Sequence, residues 1–310
     1  MSKTRQDPET SARPLGFRLA VWTIPFVAAY FIIRALPVEP CDFLHAQTYN
    51  SAGTLDYCGP GDSAFVDLTR RSWPINLDLK PLDELRVGEP CRFRAEIRQF
   101  DGSPLDSADV ALSHTKKIHL LAIDPTLEDY QHLHPEPDSI FPGVWTFSLT
   151  PAKAGEYRIF FDFIPLRSPR RVLLFSTFEV GGIPGSTSGG ERLAVERAGY
   201  SFSAKPLSSD FSPGEEGYLI FEAHGSDGKP AQLQPVMGAF AHLVAFDDER
   251  RGFAHLHPKE NLTPVEGRLT HAGSLTFSFR PPASGHYRLW AQVRIDEQEI
   301  FVPFDLLIGT

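Results

Sequence analysis

The sequence is poor in cysteine and in clustered basic residues, which mark disulfide-rich proteins and nucleic-acid-binding proteins. Its 310 residues include only 3 Cys, which excludes a disulfide-dense scaffold. Lys and Arg together number 30 against 39 Asp and Glu, which gives a formal net charge of −9 and no basic stripe. A chain with this charge balance is a poor partner for nucleic acid, and we expect none.

The sequence signatures of enzymes are missing as well. It contains no nucleophile elbow and no cofactor fingerprint. The Gly-rich stretch GGIPGSTSGGER (181–192) is not followed by Gly-Lys-Ser/Thr, so it is typical of a flexible linker rather than of a phosphate loop. We therefore predict that the protein is not an enzyme, and we identify no small-molecule substrate.

Long hydrophobic runs are absent except near the N-terminus. Residues 19–33 carry no charge but fall short of the about 20 residues that a membrane span needs. Arg18 and Arg34 flank this run and can snorkel, which lengthens it, and further basic residues precede it. We predict a cytoplasmic N-terminus (1–18), a single-pass anchor in the inner (cytoplasmic) membrane (19–38) and a periplasmic remainder. A cleaved signal peptide is the alternative.

The few cysteines fit an extracytoplasmic chain. Cys41 and Cys58 flank a loop rich in Gly, Asn and Ser, and we predict a disulfide between them in a lead-in over residues 39–72. A metal site made of these two cysteines and His45 is an alternative. Cys91 alternates with charged residues in CRFRAEI, which predicts an inert thiol on the buried face of a strand.

What the sequence does contain is an internal repeat. HLLAIDPTLEDYQHLHP (119–135) aligns without a gap with HLVAFDDERRGFAHLHP (242–258), and a later stretch ending in GEYRIFFDF aligns with one ending in GHYRLWAQV. So many matches in the same order indicate two copies of one domain. We predict the domains over 73–180 and 198–310, joined by a Gly/Ser linker over 181–197.

Each copy has the composition and the spacing of a β-sandwich. The 24 Phe, 27 Pro and 24 Gly favour strands and turns over helices. Turn signals divide the first copy into seven short strands, near residues 76–80, 91–98, 117–123, 130–134, 144–149, 156–164 and 171–179. Seven strands in about 110 residues are typical of an all-β immunoglobulin-like or cupredoxin-like sandwich. We predict two such sandwiches in tandem after the single transmembrane helix.

Three histidines in each copy are predicted to share one face of a hairpin. In the first copy, symmetric pairing across a six-residue loop sets Leu121 opposite His132, and His119 opposite His134. Because strand residues alternate between faces, the three imidazoles point the same way and could hold one ion at about 2.0–2.1 Å. The second copy repeats this spacing across a different loop sequence with His242, His255 and His257.

A metal site in each domain is one hypothesis for these histidines. Imidazole suits both copper and zinc, and we place copper ahead of zinc because the compartment is extracytoplasmic. No Cys lies on the hairpins, which argues against a type 1 copper site. His114 and Met237, at matching positions, are weaker candidates for a fourth ligand. Asp162 has Gln292 at the matching position, so it cannot serve both copies as a carboxylate.

Two alternatives to simple metal binding stay open. The histidines could be structural, with hydrogen bonds to neighbouring backbone that brace the hairpin loop. A three-histidine site would also leave one coordination position open for catalysis, although no general base accompanies it.

These motifs resemble those of a group of bacterial extracytoplasmic β-sandwich domains. The shared marks are His-Leu-x-Ala, then His-x-His-Pro, then Gly-x-Tyr-Arg, and the stretch 57–79 is similar to the lead-in before such domains. The resemblance covers roughly 57–180 and, less closely, 198–310. It implies a membrane-facing, copper-linked role and no defined activity. Met237 departs from the pattern, which has a His there, and this argues against equal metal preference at the two sites.

Two hypotheses about function follow. The first is a membrane-anchored, periplasmic, non-enzymatic protein with a three-histidine copper or zinc site in each sandwich. The second is an accessory or scaffold subunit of a larger respiratory or photosynthetic membrane complex. Such a subunit would dock on the periplasmic face of the complex, and its histidines would be structural. Both hypotheses predict the membrane as a partner, and the second predicts other membrane-protein subunits as well.

Overall fold

The computed structural model describes most of the chain, namely residues 15–35, 48–49, 55–56, 64–69, 73–113, 115–167, 171–186, 189–208, 211–260 and 270–309. The predicted disulfide between Cys41 and Cys58, and the candidate residues His45 and His114, lie outside these ranges. The chain divides into two units, residues 1–41 and 42–310. The first contains helix α1 (Leu15–Ala35). Among the described residues, no helix has both the length and the apolarity to cross a membrane.

Strands account for nearly all regular structure in the second unit. The lead-in and the first repeat contain β1 (Thr48–Tyr49), β2 (Leu55–Asp56), β3 (Val66–Asp67), β4 (Ile75–Pro81), β5 (Cys91–Gln99), β6 (Ile118–Ile123), β7 (Tyr130–Leu133), β8 (Glu136–Pro137), β9 (Val144–Leu149), β10 (Gly155–Phe163) and β11 (Val172–Val180). The second repeat and the strand before it contain β12 (Ala194–Arg197), β13 (Tyr200–Pro206), β14 (Gly217–Gly225), β15 (Gln232–Leu233), β16 (Ala241–Asp247), β17 (Gly252–Leu256), β18 (His271–Ala272), β19 (Ser274–Phe279), β20 (Gly285–Ile295) and β21 (Gln298–Ile308).

The first repeat is a sandwich of two four-stranded antiparallel sheets. Their strand orders are β4-β5-β9-β8 and β11-β10-β6-β7, which correspond to A-B-E-D and G-F-C-C′ of an immunoglobulin-like sandwich. Alternate residues of β5 point into the space between the sheets, so Cys91 and Phe93 are buried while Arg92 is exposed. The seven predicted strands are all present, and the thiol of Cys91 is free and buried as expected.

The second repeat has the two corresponding sheets. In the first of them β12 is added and the described strands include no counterpart of β8, and in the second β3 is added. The orders are β12-β13-β14-β19 and β21-β20-β16-β17-β3, and β15 pairs separately with β18. Strand β3 comes from the lead-in before the first repeat, yet it pairs with β17 of the second repeat. Gly252 of β17 permits this approach, because a Cβ there would lie 1.7 Å from the Val66 carbonyl oxygen.

The two repeats pack against each other through an apolar cluster. Leu121 and Ile123 point away from the core of the first repeat and are completely buried against the second. The ring of Tyr130 stacks on that of Trp290 with their centroids 5.7 Å apart. The second repeat supplies Val244, Phe246, Phe253 and Trp290 to this cluster. The face that carries the histidines is therefore an interface between repeats.

Matching residues make the same contact in both directions across this interface. Arg158 donates to the carbonyl of Arg250 at 2.7 Å, and Arg288 donates to the carbonyl of Leu127 at 2.9 Å. Both donors are the Arg of Gly-x-Tyr-Arg. Both acceptors occupy the same position in the hairpin loop, with φ of 62° at Leu127 and 52° at Arg250. Reciprocal contacts of this kind indicate an approximate twofold relation between the repeats.

Candidate metal centre

The hairpin register places the histidines as the sequence predicts. Strand β6 pairs with β7 so that Leu121 lies opposite His132. Strand β16 pairs with β17 so that Val244 lies opposite His255. Because strand residues alternate between faces, the histidines of each hairpin share the side that faces the other repeat.

Each hairpin brings three imidazoles together. In the first repeat, the ring centroid of His119 lies 5.3 Å from that of His132 and 5.0 Å from that of His134. In the second repeat, the ring of His257 lies 4.8 Å from that of His242 and 4.7 Å from that of His255. One nitrogen from every histidine of a triad lies within 4.8 Å of the others, which is compatible with a shared metal ion.

A backbone carbonyl fixes the tautomer of the first histidine in each triad. The Nε2 atom of His119 lies 3.0 Å from the carbonyl oxygen of Ser113, and Nε2 of His242 lies 3.0 Å from that of Val236. Both carbonyls belong to residues that begin a tight turn just before the strand. Since a carbonyl only accepts, each Nε2 carries the proton and each Nδ1 presents a lone pair.

The middle histidine of each triad faces a side chain of the other repeat. Nδ1 of His132 lies 2.9 Å from Oε1 of Gln292, whose Nε2 donates to Glu299 at 2.9 Å. This oxygen only accepts, so Nδ1 of His132 carries the proton and its Nε2 presents a lone pair to the triad. Nδ1 of His255 lies 3.7 Å from Oδ2 of Asp162, which is longer than a hydrogen bond and does not fix the tautomer of His255.

Two imidazole lone pairs therefore face each other in the first triad, and the second triad has the same spacing between the matching nitrogens. Nδ1 of His119 lies 3.1 Å from Nε2 of His132, and Nδ1 of His242 lies 3.1 Å from Nε2 of His255. Two acceptors at this distance repel each other unless a proton or a cation lies between them. Two metal–nitrogen bonds of 2.0–2.1 Å at a tetrahedral angle would separate the nitrogens by about 3.3 Å. The spacing thus fits a bound metal ion.

Burial keeps these imidazoles neutral. Removal from water lowers the pKa of His119, and it lowers the pKa of His132 and of His255 well below the usual value. Burial also lowers the pKa of His134 to about 3. The Nε2 atom of His134 is buried and has no hydrogen-bond partner among the described residues. Neutral imidazole is the form that binds metals, so these four histidines are in the ligating state at neutral pH.

The two triads also contact each other. The ring of His255 lies 5.7 Å from that of His119 and 5.5 Å from that of His132, and the rings of His132 and His242 are 6.1 Å apart. The sequence predicts one separate site for each domain. The structure instead brings all six histidines into one cluster at the interface between the repeats.

Asp162 and Gln292 are site residues that the sequence pattern does not identify. Their mismatch argues against a carboxylate ligand common to both copies, yet both side chains face a histidine of the other repeat. Asp162 is also held by Arg171, whose Nε and terminal nitrogen donate to its two oxygens at 2.8 and 2.5 Å. A single polar residue within each apolar strand, FFDF and LWAQV, is the signal that could have identified them.

The remaining candidates are not joined to the triads by the described contacts. Met237 has a left-handed φ of 47° in the turn that supplies the Val236 carbonyl, and its role as a ligand stays a prediction. His286 lies between two carboxylates, 2.5 Å from Asp248 and 2.9 Å from Asp305. These contacts give His286 a local structural role.

The model of one family, described as a domain of unknown function (DUF8832), matches the chain twice, over residues 75–178 and 195–309. No curated protein matches the sequence.

The solved structures that are similar to the chain are distant. The Escherichia coli adhesin FdeC is 12% identical with a TM-score of 0.21, covering 80% of this chain and 66% of that one. A DUF4785 family protein from Legionella pneumophila is 11% identical with a TM-score of 0.24, covering 77% and 56%. Salmonella alpha-2-macroglobulin is 12% identical with a TM-score of 0.25, covering 81% and 15%. The chain thus spans between 15% and 66% of these proteins.

Proposed function

The chain belongs to the family described as a domain of unknown function (DUF8832), and we propose that it is a metal-binding protein with one three-histidine site in each of its two domains. The observation that carries this proposal is the spacing of the imidazole nitrogens within each triad. In the first triad, Ser113 and Gln292 accept from the outer nitrogens of His119 and His132, which leaves two unprotonated nitrogens 3.1 Å apart. The matching nitrogens of the second triad are also 3.1 Å apart. A cation between them turns a repulsive contact into two bonds.

Copper is the proposed metal, ahead of zinc. Imidazole nitrogens bind both ions, and the general affinity order of divalent metals places Cu²⁺ above Zn²⁺. Three protein ligands leave one coordination position for water or for an exogenous ligand. We propose a role in holding the metal rather than in catalysis, because the carboxylate that faces His255, Asp162, is already bound by Arg171.

We further propose that the protein acts outside the cytoplasm, anchored by its N-terminal segment. The charge-free run 19–33, the flanking Arg18 and Arg34 and the preceding basic residues support this proposal. The test is extraction of membranes at alkaline pH. The full chain is expected to stay with the membrane fraction, and its recovery in the soluble fraction would refute the anchor. The accessory-subunit hypothesis stays a prediction.

Metal binding is tested on the full chain after removal of bound metal with a chelator. Dialysis against Cu²⁺, and separately against Zn²⁺, should leave about two ions for each chain. The double variant H134A/H257A should retain neither ion, because each triad loses one ligand. The matched control H224A/H271A removes two histidines outside the triads and should bind both ions. If the wild type retains neither metal after reconstitution, the proposal fails.

A further inference from the structure

Each repeat supplies a side chain that faces the triad of the other repeat. Gln292 of the second repeat accepts from His132, and Asp162 of the first repeat faces His255. Asp162 and Gln292 occupy the same place in their repeats, since each lies on the strand directly beside the first histidine of its own triad. Asp162 and Gln292 thus make reciprocal contacts, each with the other repeat, as Arg158 and Arg288 do.

The two side chains are held by neighbours that also match. Asp162 pairs with Leu173 across β10 and β11, and Arg171, two residues before Leu173, binds its carboxylate. Gln292 pairs with Phe301 across β20 and β21, and Glu299, two residues before Phe301, accepts from its amide. The same position thus carries an Asp–Arg pair in one repeat and a Gln–Glu pair in the other.

We infer that Asp162 and Gln292 are positioning residues, each for the metal site of the opposite repeat, and that this exchange makes the two sites unequal. The site of His242, His255 and His257 faces a carboxylate and binds a divalent cation more tightly than the site of His119, His132 and His134. This inference rests on the proposed metal-binding function.

The inequality follows from what each partner does to its histidine. A carboxylate beside Nδ1–H raises the basicity of the imidazole and places negative charge near the bound cation. A glutamine oxygen orients the ring by a hydrogen bond but brings no net charge. Arg171 neutralises part of the Asp162 charge, so we expect the carboxylate to contribute within the roughly 10- to 100-fold range of such orienting partners.

Asp162 also lies beside His119 on the neighbouring strand. However, Nε2 of His119 is directed at the carbonyl of Ser113, and Nδ1 is directed at His132. Burial lowers the pKa of His119, and the charge of Asp162 opposes this shift, so the carboxylate also acts on the first triad. The ring nitrogen that faces the carboxylate is Nδ1 of His255, and we therefore assign the orienting effect of Asp162 to the triad of the second repeat.

Two variants that each keep one intact triad allow the two sites to be measured separately. H134A breaks the first triad and leaves the second as reporter, and H257A does the reverse. Titration of each metal-free chain with Cu²⁺ alone, and then with Zn²⁺ alone, gives the affinity of one site. The H134A chain is expected to bind about 10- to 100-fold more tightly than the H257A chain.

The positioning role is tested by moving the carboxylate within these reporters. D162N/R171Q removes both buried charges together, so no unpaired charge remains, and it should weaken Cu²⁺ binding in the H134A chain by about 10-fold or more. Q292D/E299Q transfers a carboxylate to the position facing His132 without changing net charge. It should tighten binding in the H257A chain by a similar factor.

Two further measurements separate positioning from general damage. The copper electron paramagnetic resonance spectrum should shift for the reporter site whose orienting partner is changed and stay constant for the other. D162E, which keeps the carboxylate, should retain most of the affinity that D162N/R171Q loses. Thermal unfolding of each metal-free variant shows whether the fold is intact.

The outcomes are distinct. Equal affinities in the two reporters, unchanged by either pair of substitutions, would overturn the inequality and leave metal binding standing. A change of similar size in both reporters after D162N/R171Q would overturn the assignment of Asp162 to the opposite site. If the wild type binds neither Cu²⁺ nor Zn²⁺, the proposed function fails and the inference fails with it.

Discussion

Two apolar residues at the interface between the repeats both join the repeats and shield the histidines from water. Leu121 and Ile123 share a strand face with His119, and all three are buried, although only the leucine and isoleucine are apolar. The apolar pair excludes water from the histidine cluster, and exclusion of water is what lowers the pKa of His119. The same packing that joins the repeats thus keeps the imidazoles in the neutral form.

The first prediction concerns the substitution Leu121→Ala. Leu121 is completely buried between the repeats, so its truncation should lower the free energy of unfolding by about 2–5 kcal/mol. The matched control is Leu82→Ala, at an exposed position, which should change it by less than about 0.5 kcal/mol. Urea unfolding of both variants is the measurement. Equal, small effects would mean that the repeats do not pack at Leu121.

The second prediction concerns His286, where both ring nitrogens face carboxylates. The hydrogen bond to Asp305 is the main cause that raises the pKa of His286, and that to Asp248 adds to it. A raised pKa in the folded state means that the protonated ring stabilises the fold below about pH 6.5, the usual value for His. This contribution is lost as the pH rises through the raised pKa.

His286→Gln tests this expectation. The difference in thermal midpoint between wild type and variant should be largest near pH 5.5 and should shrink toward pH 9. Comparison at each pH cancels the contribution of the triad histidines, because both chains contain them. A difference that is constant or grows with pH would contradict the raised pKa.

Among the strands, β6 and β7 show how far local sequence rules reach. Alternation and the Asp-Pro loop signal predict the register that pairs Leu121 with His132, and the structure confirms it. Local rules also predict which residues share the face of His119. They do not say what covers that face, because contacts such as His132 to Gln292 join residues 160 positions apart. The alternation of residues along a strand and the residues that favour a turn depend only on nearby positions. They do not identify partners at that separation.

The partner of strand β3 is likewise not predictable from local sequence. Val66 and Asp67 are too few to show a strand period, and they pair with a strand of the second repeat instead of the first. The sequence therefore indicates a lead-in but not its partner. The sequence feature that fits this pairing is Gly252, where the absence of a side chain leaves room for the Val66 carbonyl.

The third prediction concerns this strand. Gly252→Ala places a Cβ in contact with backbone of β3, so we expect β3 to detach while the two sandwiches remain folded. Amide hydrogen exchange should accelerate in residues 64–69 and stay slow in β16. The matched control is Gly181→Ala, because nothing lies within 4 Å of a Cβ at Gly181 and its backbone is not in the left-handed region. Unchanged protection of 64–69 in G252A would show that β3 can shift to accept a side chain.

At the scale of the whole molecule, the repeats are joined by contacts as well as by chain. Arg288 is completely buried and binds the Leu127 carbonyl and the Glu128 carboxylate of the first repeat. Arg158 makes the corresponding contact with the Arg250 carbonyl. Together with the apolar cluster, these contacts should keep the repeats associated without the linker. The linker would then act only by raising the effective concentration of one repeat near the other.

The fourth prediction follows from this arrangement. A protease site inserted within residues 183–186 should allow the chain to be cut between the repeats, and the two fragments should still elute together in size-exclusion chromatography. The paired substitution R158M/R288M in the cut chain should release the fragments, because the Leu127 and Arg250 carbonyls lose their donors. Uncut R158M/R288M is the control for folding. Separation of the fragments without any substitution would show that the interface depends on the linker.

The approximate twofold relation has a consequence for how unequal sites could arise in evolution. If the two domains were identical chains in a homodimer, one codon would encode the residue that faces both middle histidines. An Asp could then never face one site while a Gln faced the other. Fusion of two copies into a single chain lifts this restriction, since Asp162 and Gln292 can mutate independently. Duplication thus permits what symmetry forbids, two histidine triads of the same architecture that face side chains of different charge.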